Sequence, residues 1–372
     1  MTHIMQRAGA HMLMLALVTC QATPSRADDR AIESIVARHV QPMLSAPGGV
    51  AVAIRIAGAN AFFSYGSADI AKTQAVTPDS LFNLASVGKV LDVALLMQAV
   101  GRGEISLDDS VAKHVVELRR GGDIRRITLG QLASHTSGLS FPQDHPPWPK
   151  ESFTLAKFIR ALDGWRADAD HQPGNQFIYS HAGYVLLQLA LERRLGAPIG
   201  ELLRRRILEP LHMTSTSLPL RGPQGRGRLA PQLLARAVQG YDENGAPIGA
   251  PGNVQGYYHW PGTTQIFSSA RDLAAFLAAG LGEAGAPEIE RALAATYRGV
   301  IAMAPSVMQG FAWEIHDGEP VIIDKNGGLN NTSGYVGLAP SRKLGVAILV
   351  NRGNQNAATA GRGILQELSV DP

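Results

Sequence analysis

The chain has 372 residues, of which 45% are hydrophobic and 17% are charged, and its formal net charge is +3. This composition excludes a disordered or coiled-coil chain and provides ample apolar material for a folded globular protein, and the length does not require two domains. Because the basic residues are scattered and no basic patch is interleaved with aromatic residues, nucleic acid is not expected as a partner.

The first 27 residues have the pattern of an export signal. Arg7 precedes an apolar stretch at 12–18, and small residues at 25–27 come before Asp28. The stretch is too short to span a bilayer, and no other segment offers about twenty uninterrupted apolar residues. We therefore predict a signal peptide at 1–27, a mature catalytic domain at 28–372 without a stable membrane span, and a periplasmic or secreted location.

Cys20 is the only cysteine, so the chain cannot form an intramolecular disulfide. If cleavage follows Ala27, thiol catalysis in the mature chain is also excluded. Residues 17–20 faintly resemble a lipoprotein processing site, but Thr19 is a poor fit beside the cleavage position. Lipidation at Cys20 is therefore the less favoured alternative.

The hydrophobic pattern predicts helices and strands in a particular order. Apolar residues at helical spacing predict an amphipathic helix near 32–44. Two strands are then predicted at 50–56 and 61–65, with a turn at 58–60 between them. Helical patterns follow from about 86 to 211, with helices predicted at 89–100, 154–162 and 182–195. Strands return at 311–315, 321–324, 333–338 and 344–350, and a closing helix is predicted at 357–368.

Early and late strands that are separated by a helical insertion predict an α/β fold of the α+β type. One central antiparallel sheet would be built from both ends of the chain and flanked by helices, with an inserted helical lobe alongside. We predict that the sheet lobe comprises about 28–80 and 300–372, and that the helical lobe and loops comprise about 81–299. The pocket should lie between the lobes.

Three short motifs follow one another along the chain: Ser86-Val87-Gly88-Lys89, Tyr179-Ser180-His181 and Lys325-Asn326-Gly327. Residues three apart on a helix share a face, so Lys89 can lie beside the Ser86 hydroxyl, which is a poor nucleophile without such a neighbour. The chain has 27 Arg and 7 Lys, yet Lys occupies two motif positions where a titratable amine is required. The ordered set predicts an acylatable serine.

These motifs and the segments around them resemble the penicillin-recognising serine hydrolases, and among them most closely the class C β-lactamases. Related carboxypeptidases and esterases share the fold. The resemblance implies a β-lactamase/transpeptidase-like fold and covers nearly the whole mature chain. The similar segments lie at 50–54, 66–72, 81–85, 103–109, 132–139, 173–174, 207–211, 309–314 and 325–351.

The resemblance also implies roles for the motif residues. Ser86 would be the nucleophile, Lys89 would accept its proton, and Tyr179 would protonate the leaving nitrogen and activate the deacylating water. Lys325 would face the substrate carboxylate.

The family's oxyanion hole would be formed by the backbone N–H groups of Ser86 and Gly328. Gly327 and Gly328 would let their strand approach the ligand without an intervening side chain.

Two residues depart from the family pattern. His181 stands where the family usually has Asn, and Asn326 stands where Thr is usual, which puts substrate preference in doubt. Asn356 falls where class C enzymes place an Asn that contacts the substrate carboxylate. A metal role for His181 is not expected, since no neighbouring His, Asp or Glu completes a ligand set. His135 is interpreted as part of a structural turn.

The sequence therefore predicts an exported serine β-lactamase that works through a Ser86 acyl-enzyme, as a monomer, without cofactor or metal. Its substrate would be a small molecule, either a β-lactam or a peptidoglycan-like amide or ester. One alternative is a D-alanyl-D-alanine carboxypeptidase-like peptidase or carboxylesterase, and another is a penicillin-binding protein with slow turnover. Loops at 144–149 and 257–261 are expected to decide which β-lactams are accepted.

Overall fold

The structure is a computed structural model that describes residues 26–139, 155–221, 227–252 and 265–370. The loops at 144–149 and 257–261 lie outside the described residues, as does nearly all of the predicted signal peptide. In the four described ranges, no helix combines the length and the apolar character that a bilayer crossing requires.

A nine-stranded antiparallel sheet forms the centre of the molecule. Its strand order is β3-β2-β1-β13-β12-β11-β10-β9-β8, so early strands pair directly with the last one. The sheet strands are β1 (Gly49–Ile56), β2 (Ala59–Asp69), β3 (Gln74–Ala75), β8 (Ile301–Ala304), β9 (Val307–Gln309), β10 (Glu314–His316), β11 (Ile322–Leu329), β12 (Thr332–Ala339) and β13 (Leu344–Val350). Two short pairs lie apart from this sheet: β4 (Phe82–Asn83) with β7 (Phe267–Ser268), and β5 (Leu220–Arg221) with β6 (Gly227–Arg228). The prediction of one sheet built from both chain ends is confirmed.

Helices flank this sheet, and most of them lie in the sequence between β4 and β8. They are α1 (Arg26–Val40), α2 (Lys89–Gly101), α3 (Val111–His114), α4 (Leu129–Ala133), α5 (Leu155–Asp163), α6 (His181–Leu195), α7 (Ile199–Leu203), α8 (Pro231–Leu234), α9 (Ala270–Gly280), α10 (Pro287–Thr296) and α11 (Ala357–Val370). The predicted helices at 32–44, 89–100, 182–195 and 357–368 all appear, as does the described part of the one at 154–162.

Both faces of the sheet are buried, which β1 shows most simply. Its side chains alternate between faces: Val50, Val52 and Ile54 belong to the apolar core that also contains residues of α1 and α11. Ala51 and Ala53 belong to the larger core shared with α2, α6 and α9. The sheet is therefore the middle layer between two sets of helices. The division into lobes at about 80 and 300 stays a prediction.

The prediction of a strand at 311–315 is wrong for its first three residues. Only Glu314 and Ile315 of that range are extended, while 311–313 form an irregular segment in which Trp313 is fully buried. The Trp313 ring stacks on Phe276 at 6.4 Å between centroids. The apolar run therefore indicated core packing and not strand pairing, two arrangements that a short apolar sequence does not distinguish.

The first hairpin turn is shorter than predicted. Ala57 and Gly58 alone form it, both with positive φ, and Ala59 and Asn60 already pair with β1. Two central residues with positive φ give the turn whose twist matches a two-residue hairpin. The tighter turn extends the pairing of β1 and β2.

Asn351, directly after β13, forms hydrogen bonds with the backbone of three neighbouring segments at the end of the sheet. Its Oδ1 accepts a hydrogen bond from the Gly49 N–H at 2.7 Å. Its Nδ2 donates to the carbonyls of Ser67 at 3.1 Å, Ala68 at 3.3 Å and Gln239 at 2.9 Å. The side chain is fully buried, and its hydrogen bonds to Gly49 and Ala68 are buried as well, so water does not replace it at those two backbone groups.

We expect Asn351→Ala to lower the free energy of unfolding by about 2 to 4 kcal/mol, because it leaves buried backbone groups without partners. Urea unfolding followed by circular dichroism measures this loss. The matched control is Asn244→Ala, which removes an exposed side chain from a surface turn and should change stability by less than about 0.5 kcal/mol. Equal effects of the two substitutions on the free energy of unfolding would contradict the stabilising role of the Asn351 hydrogen bonds.

Candidate active site

Ser86 lies in a 3₁₀ turn, Ala85–Gly88, that runs directly into α2. Ala85 has a φ of 45°, a left-handed conformation that costs an L-residue about 1 to 2 kcal/mol. The Asn83 Oδ1 compensates by accepting a hydrogen bond from the Ala85 N–H at 2.9 Å. The turn therefore presents Ser86 and its backbone N–H at the positive end of α2.

Lys89, the first residue of α2, lies beneath the Ser86 hydroxyl. Its Nζ is 3.2 Å from the Ser86 Oγ, and the side chain is completely buried. Burial lowers the pKa of Lys89 from its usual 10.5 to about 7, although the nearby Asp92 carboxyl acts in the opposite direction. At neutral pH a substantial share of Lys89 is therefore an uncharged amine, which can accept a proton.

Tyr179 approaches the same oxygen from the other side. Its hydroxyl donates to the Ser86 Oγ at 2.6 Å. The Nζ atoms of Lys89 and Lys325 each lie 5.3 Å from the centre of the Tyr179 ring. The structure thus brings together the four residues predicted to be catalytic.

Strand β11 runs alongside the Ser86 turn, and Gly327 is the point of closest approach. A Cβ atom added to Gly327 would lie 2.7 Å from the Leu84 carbonyl oxygen, 2.7 Å from the Val87 nitrogen and 2.8 Å from the Ser86 nitrogen. No side chain fits there. The missing side chain is what allows β11 to pass beside the Ser86 N–H.

Two other predicted residues of β11 are more open. A Cβ atom on Gly328 would have the Thr332 carbonyl oxygen, 3.9 Å away, as its nearest neighbour. Asn326 is exposed. Because successive side chains of a strand point to opposite faces of the sheet, Asn326 lies on the opposite face from Lys325.

His181, the first residue of α6, lies at the edge of the site. Its ring meets the Tyr179 ring edge-on, with 5.3 Å between the centres. Burial, helped by the positive charges of Lys89 and Lys325, lowers the pKa of His181 to about 2. His181 is therefore a neutral imidazole at neutral pH.

Asn356 lies directly before α11. It is exposed, and its Oδ1 accepts a hydrogen bond from the Thr359 N–H at 3.3 Å at the start of α11. This is the geometry of a helix cap. A role in binding substrate stays a prediction.

His135 contacts the site, which sequence reasoning did not foresee. Its backbone forms the predicted turn after α4, with a φ of 56°, but its ring packs on that of Tyr179 at 4.2 Å between centres. Its Nδ1 accepts a hydrogen bond from the Ser180 N–H at 3.1 Å. The block at 135–139 thus positions the segment that carries Tyr179.

A group of metal-ligand type lies on the other face of β11, formed by Glu314, His316 and Asp324. Arg362 donates to Asp324 at 2.5 Å and to Glu314 at 3.2 Å. Hydrogen bonds to Asp324 and Glu314 raise the pKa of His316 to about 9, so two cations balance two carboxylates. This is an ion-pair network, in which the carboxylate oxygens are already occupied.

Comparison with known proteins agrees with this geometry. The sequence model of the Beta-lactamase family matches residues 36–369. A β-lactamase of Lysobacter lactamgenus is 28% identical over 365 residues, which cover 88% of each protein. A class C β-lactamase of Rhodobacter sphaeroides has a similar structure, with a TM-score of 0.77, 26% identity and coverage of 90% of this chain and 99% of that one. A D-alanine carboxypeptidase of Burkholderia cenocepacia has a TM-score of 0.76 at 25% identity, covering 92% of this chain and all of the other. The chain belongs to the Beta-lactamase family.

Proposed function

We propose that this protein is an exported serine β-lactamase that opens β-lactam rings through an acyl-enzyme on Ser86. The observation that carries the proposal is the double contact on the Ser86 Oγ, from the buried Lys89 at 3.2 Å and from Tyr179 at 2.6 Å. A serine between a depressed-pKa amine and a phenol has both a base to take its proton and a route to pass that proton on.

In the acylation step, the Ser86 oxygen attacks the lactam carbonyl carbon while its proton moves to Lys89. The C–N bond of the ring then breaks, and Tyr179 delivers a proton to the leaving nitrogen and takes the proton held by Lys89. In the second step water attacks the ester carbon, and its proton passes by way of Tyr179 to the Ser86 oxygen as the ester C–O bond breaks, which frees Ser86. General acid and base catalysis of this kind contributes roughly 10² to 10⁴ in rate.

The negative charge on the carbonyl oxygen would be stabilised by the backbone N–H groups of Ser86 and Gly328. The closeness of β11 to the Ser86 nitrogen supports this role. Lys325, buried beside the Tyr179 ring, would attract the substrate carboxylate, and His181, Asn326, Gly327 and Asn356 would contact the rest of the substrate.

A second function, D-alanine carboxypeptidase or esterase activity on the same scaffold, is favoured by one specific observation. At the position where the family usually has Asn, His181 offers a neutral imidazole, which presents either a donor or an acceptor at each nitrogen and cannot reproduce an amide. The likeness to a D-alanine carboxypeptidase is nearly as extensive as that to the β-lactamase of known structure. Both reactions would use the same Ser86 acyl-enzyme.

The proposal includes a location and an oligomeric state. The signal pattern in residues 1–27 supports export to the periplasm or outside the cell, and the mature chain would act as a monomer on small molecules.

The purified mature protein should hydrolyse benzylpenicillin or a cephalosporin faster than a D-alanyl-D-alanine peptide or an aryl ester, and Ser86→Ala should abolish all of these activities. Loss of the β-lactam absorbance measures the first reaction, and product release measures the others. His181→Asn serves as the comparison variant, because it restores the usual family residue and should raise turnover of β-lactams relative to peptide. Peptide or ester turnover with the β-lactam left intact would replace this function by the second one.

We expect kcat/KM for acylation to fall on the acid side with a midpoint near pH 7, the value to which burial lowers the pKa of Lys89. Below that pH the ammonium form dominates and cannot accept the Ser86 proton, so the rate should drop about tenfold per pH unit. Initial rates at substrate concentrations far below KM give the profile, with protein stability checked at each pH. A profile without an acid limb would contradict the role of Lys89 as base.

Gly327→Ala should reduce acylation by at least about 10²-fold, because the added methyl would push β11 away from the Ser86 turn and distort the oxyanion hole. The matched control is Gly334→Ala on the neighbouring strand, where the nearest atoms to the added methyl lie at 3.6 Å. Both variants are compared by kcat/KM and thermal unfolding. Equal activities of the two folded variants would contradict the importance of the close approach.

A further inference from the structure

Helix α2 carries a second ionisable residue, one turn beyond Lys89. Asp92 is completely buried, as are its neighbours Leu91 and Val93. Carboxylates are almost never fully buried unless they are paired. Residues three apart lie on one face of a helix, so the carboxyl of Asp92 shares its face with Lys89.

The hydrogen bonds to Asp92 are few for a buried carboxylate. Within the described residues, both of its oxygens accept from a single donor, the Gln188 Nε2 on α6, at 3.0 Å each. The Gln188 Oε1 is itself buried without a hydrogen-bond partner there. One amide does not compensate the desolvation of an ionised carboxylate, which costs several kcal/mol.

The remaining compensation comes from Lys89. Burial raises the pKa of Asp92 and lowers that of Lys89, and each charge favours the ionised form of the other. Near neutral pH the pair can be an ammonium with a carboxylate or an amine with a carboxylic acid. Both forms have the same net charge, but only the second has an amine that can accept the Ser86 proton.

Other polar groups face the pair from each neighbouring element. Tyr184 of α6 lies with its ring centre 5.2 Å from the Lys89 Nζ, and burial holds its pKa well above the usual value, so it stays neutral. His135 is also neutral, because burial and the two lysines hold its pKa well below the usual value. The Lys325 Nζ, like the Lys89 Nζ, lies 5.3 Å from the centre of the Tyr179 ring, and the His181 ring meets that ring edge-on. Of the groups named here, Asp92 is the one whose negative charge can stabilise the ammonium form of Lys89.

We propose that Asp92 is a positioning residue for acyl transfer, whose buried carboxyl group sets the fraction of Lys89 that is an uncharged amine. The proposal rests on the function proposed above for Ser86 and Lys89. In the reactive form Asp92 is a carboxylic acid and Lys89 is an amine, and Lys89 accepts the Ser86 proton as the serine oxygen bonds to the acyl carbon. That proton then passes to the leaving nitrogen, and the pair returns to its starting state.

The test is a pH titration of Lys89 by NMR in protein that carries ¹³C-labelled lysine. The chain has only seven lysines, and the Lys89 signal is identified by its absence from Lys89→Arg. Asp92→Asn keeps the shape of the side chain and removes the charge that raises the Lys89 pKa. We expect the Lys89 midpoint, and with it the acid limb of acylation, to move to lower pH by about 1 to 3 units.

The matched control is Asp272→Asn. Asp272 is also a buried carboxyl group, but it accepts from the Ser215 N–H at 2.9 Å and the Thr216 hydroxyl at 2.7 Å, and its loss should leave the Lys89 midpoint unchanged. If Asp92→Asn does not fold, Gln188→Leu replaces it. Removing the amide donor disfavours the ionised Asp92, so the midpoint should move in the same direction by a smaller amount.

An unmoved or raised midpoint in the folded variant would overturn the proposal, since a purely structural Asp92 would change stability and not the titration of Lys89. The titration does not depend on turnover. A shifted midpoint in a protein that leaves β-lactams intact would therefore support the role of Asp92 and refute the proposed function. Ring opening together with an unshifted Lys89 midpoint would support the proposed function and refute the role of Asp92.

Discussion

The burial of the Lys89 amine against the Ser86 hydroxyl is the constraint on which the rest of the site depends. A lysine in water is an ammonium at neutral pH and has no lone pair to offer a serine. Placing Lys89 in the first turn of an otherwise apolar helix lowers its pKa to about 7 and aligns it with the serine three residues earlier. The apolar neighbours of α2 therefore contribute to the chemistry as well as to the core.

The sheet supplies the other half of the site. Because β1 pairs with β13, and β12 and β11 follow in order, residues near 325 reach the serine near 86 although more than half of the chain separates them. The contact is close enough that Gly327 has no room for a methyl group. The strained Ala85 and the hydrogen bond that its N–H donates to the Asn83 Oδ1 complete a rigid support for Ser86, which is what pre-organised acyl-transfer sites need.

Sequence reasoning predicted most of the long sheet strands, several of the helices and the residues that chemistry ties to a motif. It named no helix or strand between 212 and 310, and so missed α9, α10, β8 and β9. The residues of β8 are partly or fully exposed and give no alternating pattern. It took the buried segment around Trp313 for a strand, since an apolar run alone does not reveal its partner. Asp92 gave a signal, an acid within an apolar helix one turn after Lys89, which could have been interpreted. The stacking of His135 on Tyr179 has no signal in the sequence, because it depends on two turns that come together only in the folded molecule.

The central claim is that Ser86 becomes acylated and is then released by water. Intact mass of the mature protein, followed over time with excess benzylpenicillin and combined with peptide mapping, tests it most directly. The account predicts an adduct with the mass of the whole drug, located on the peptide that contains Ser86, which decays as ring-opened product accumulates. An adduct on another residue, or ring opening that persists in Ser86→Ala, would contradict it.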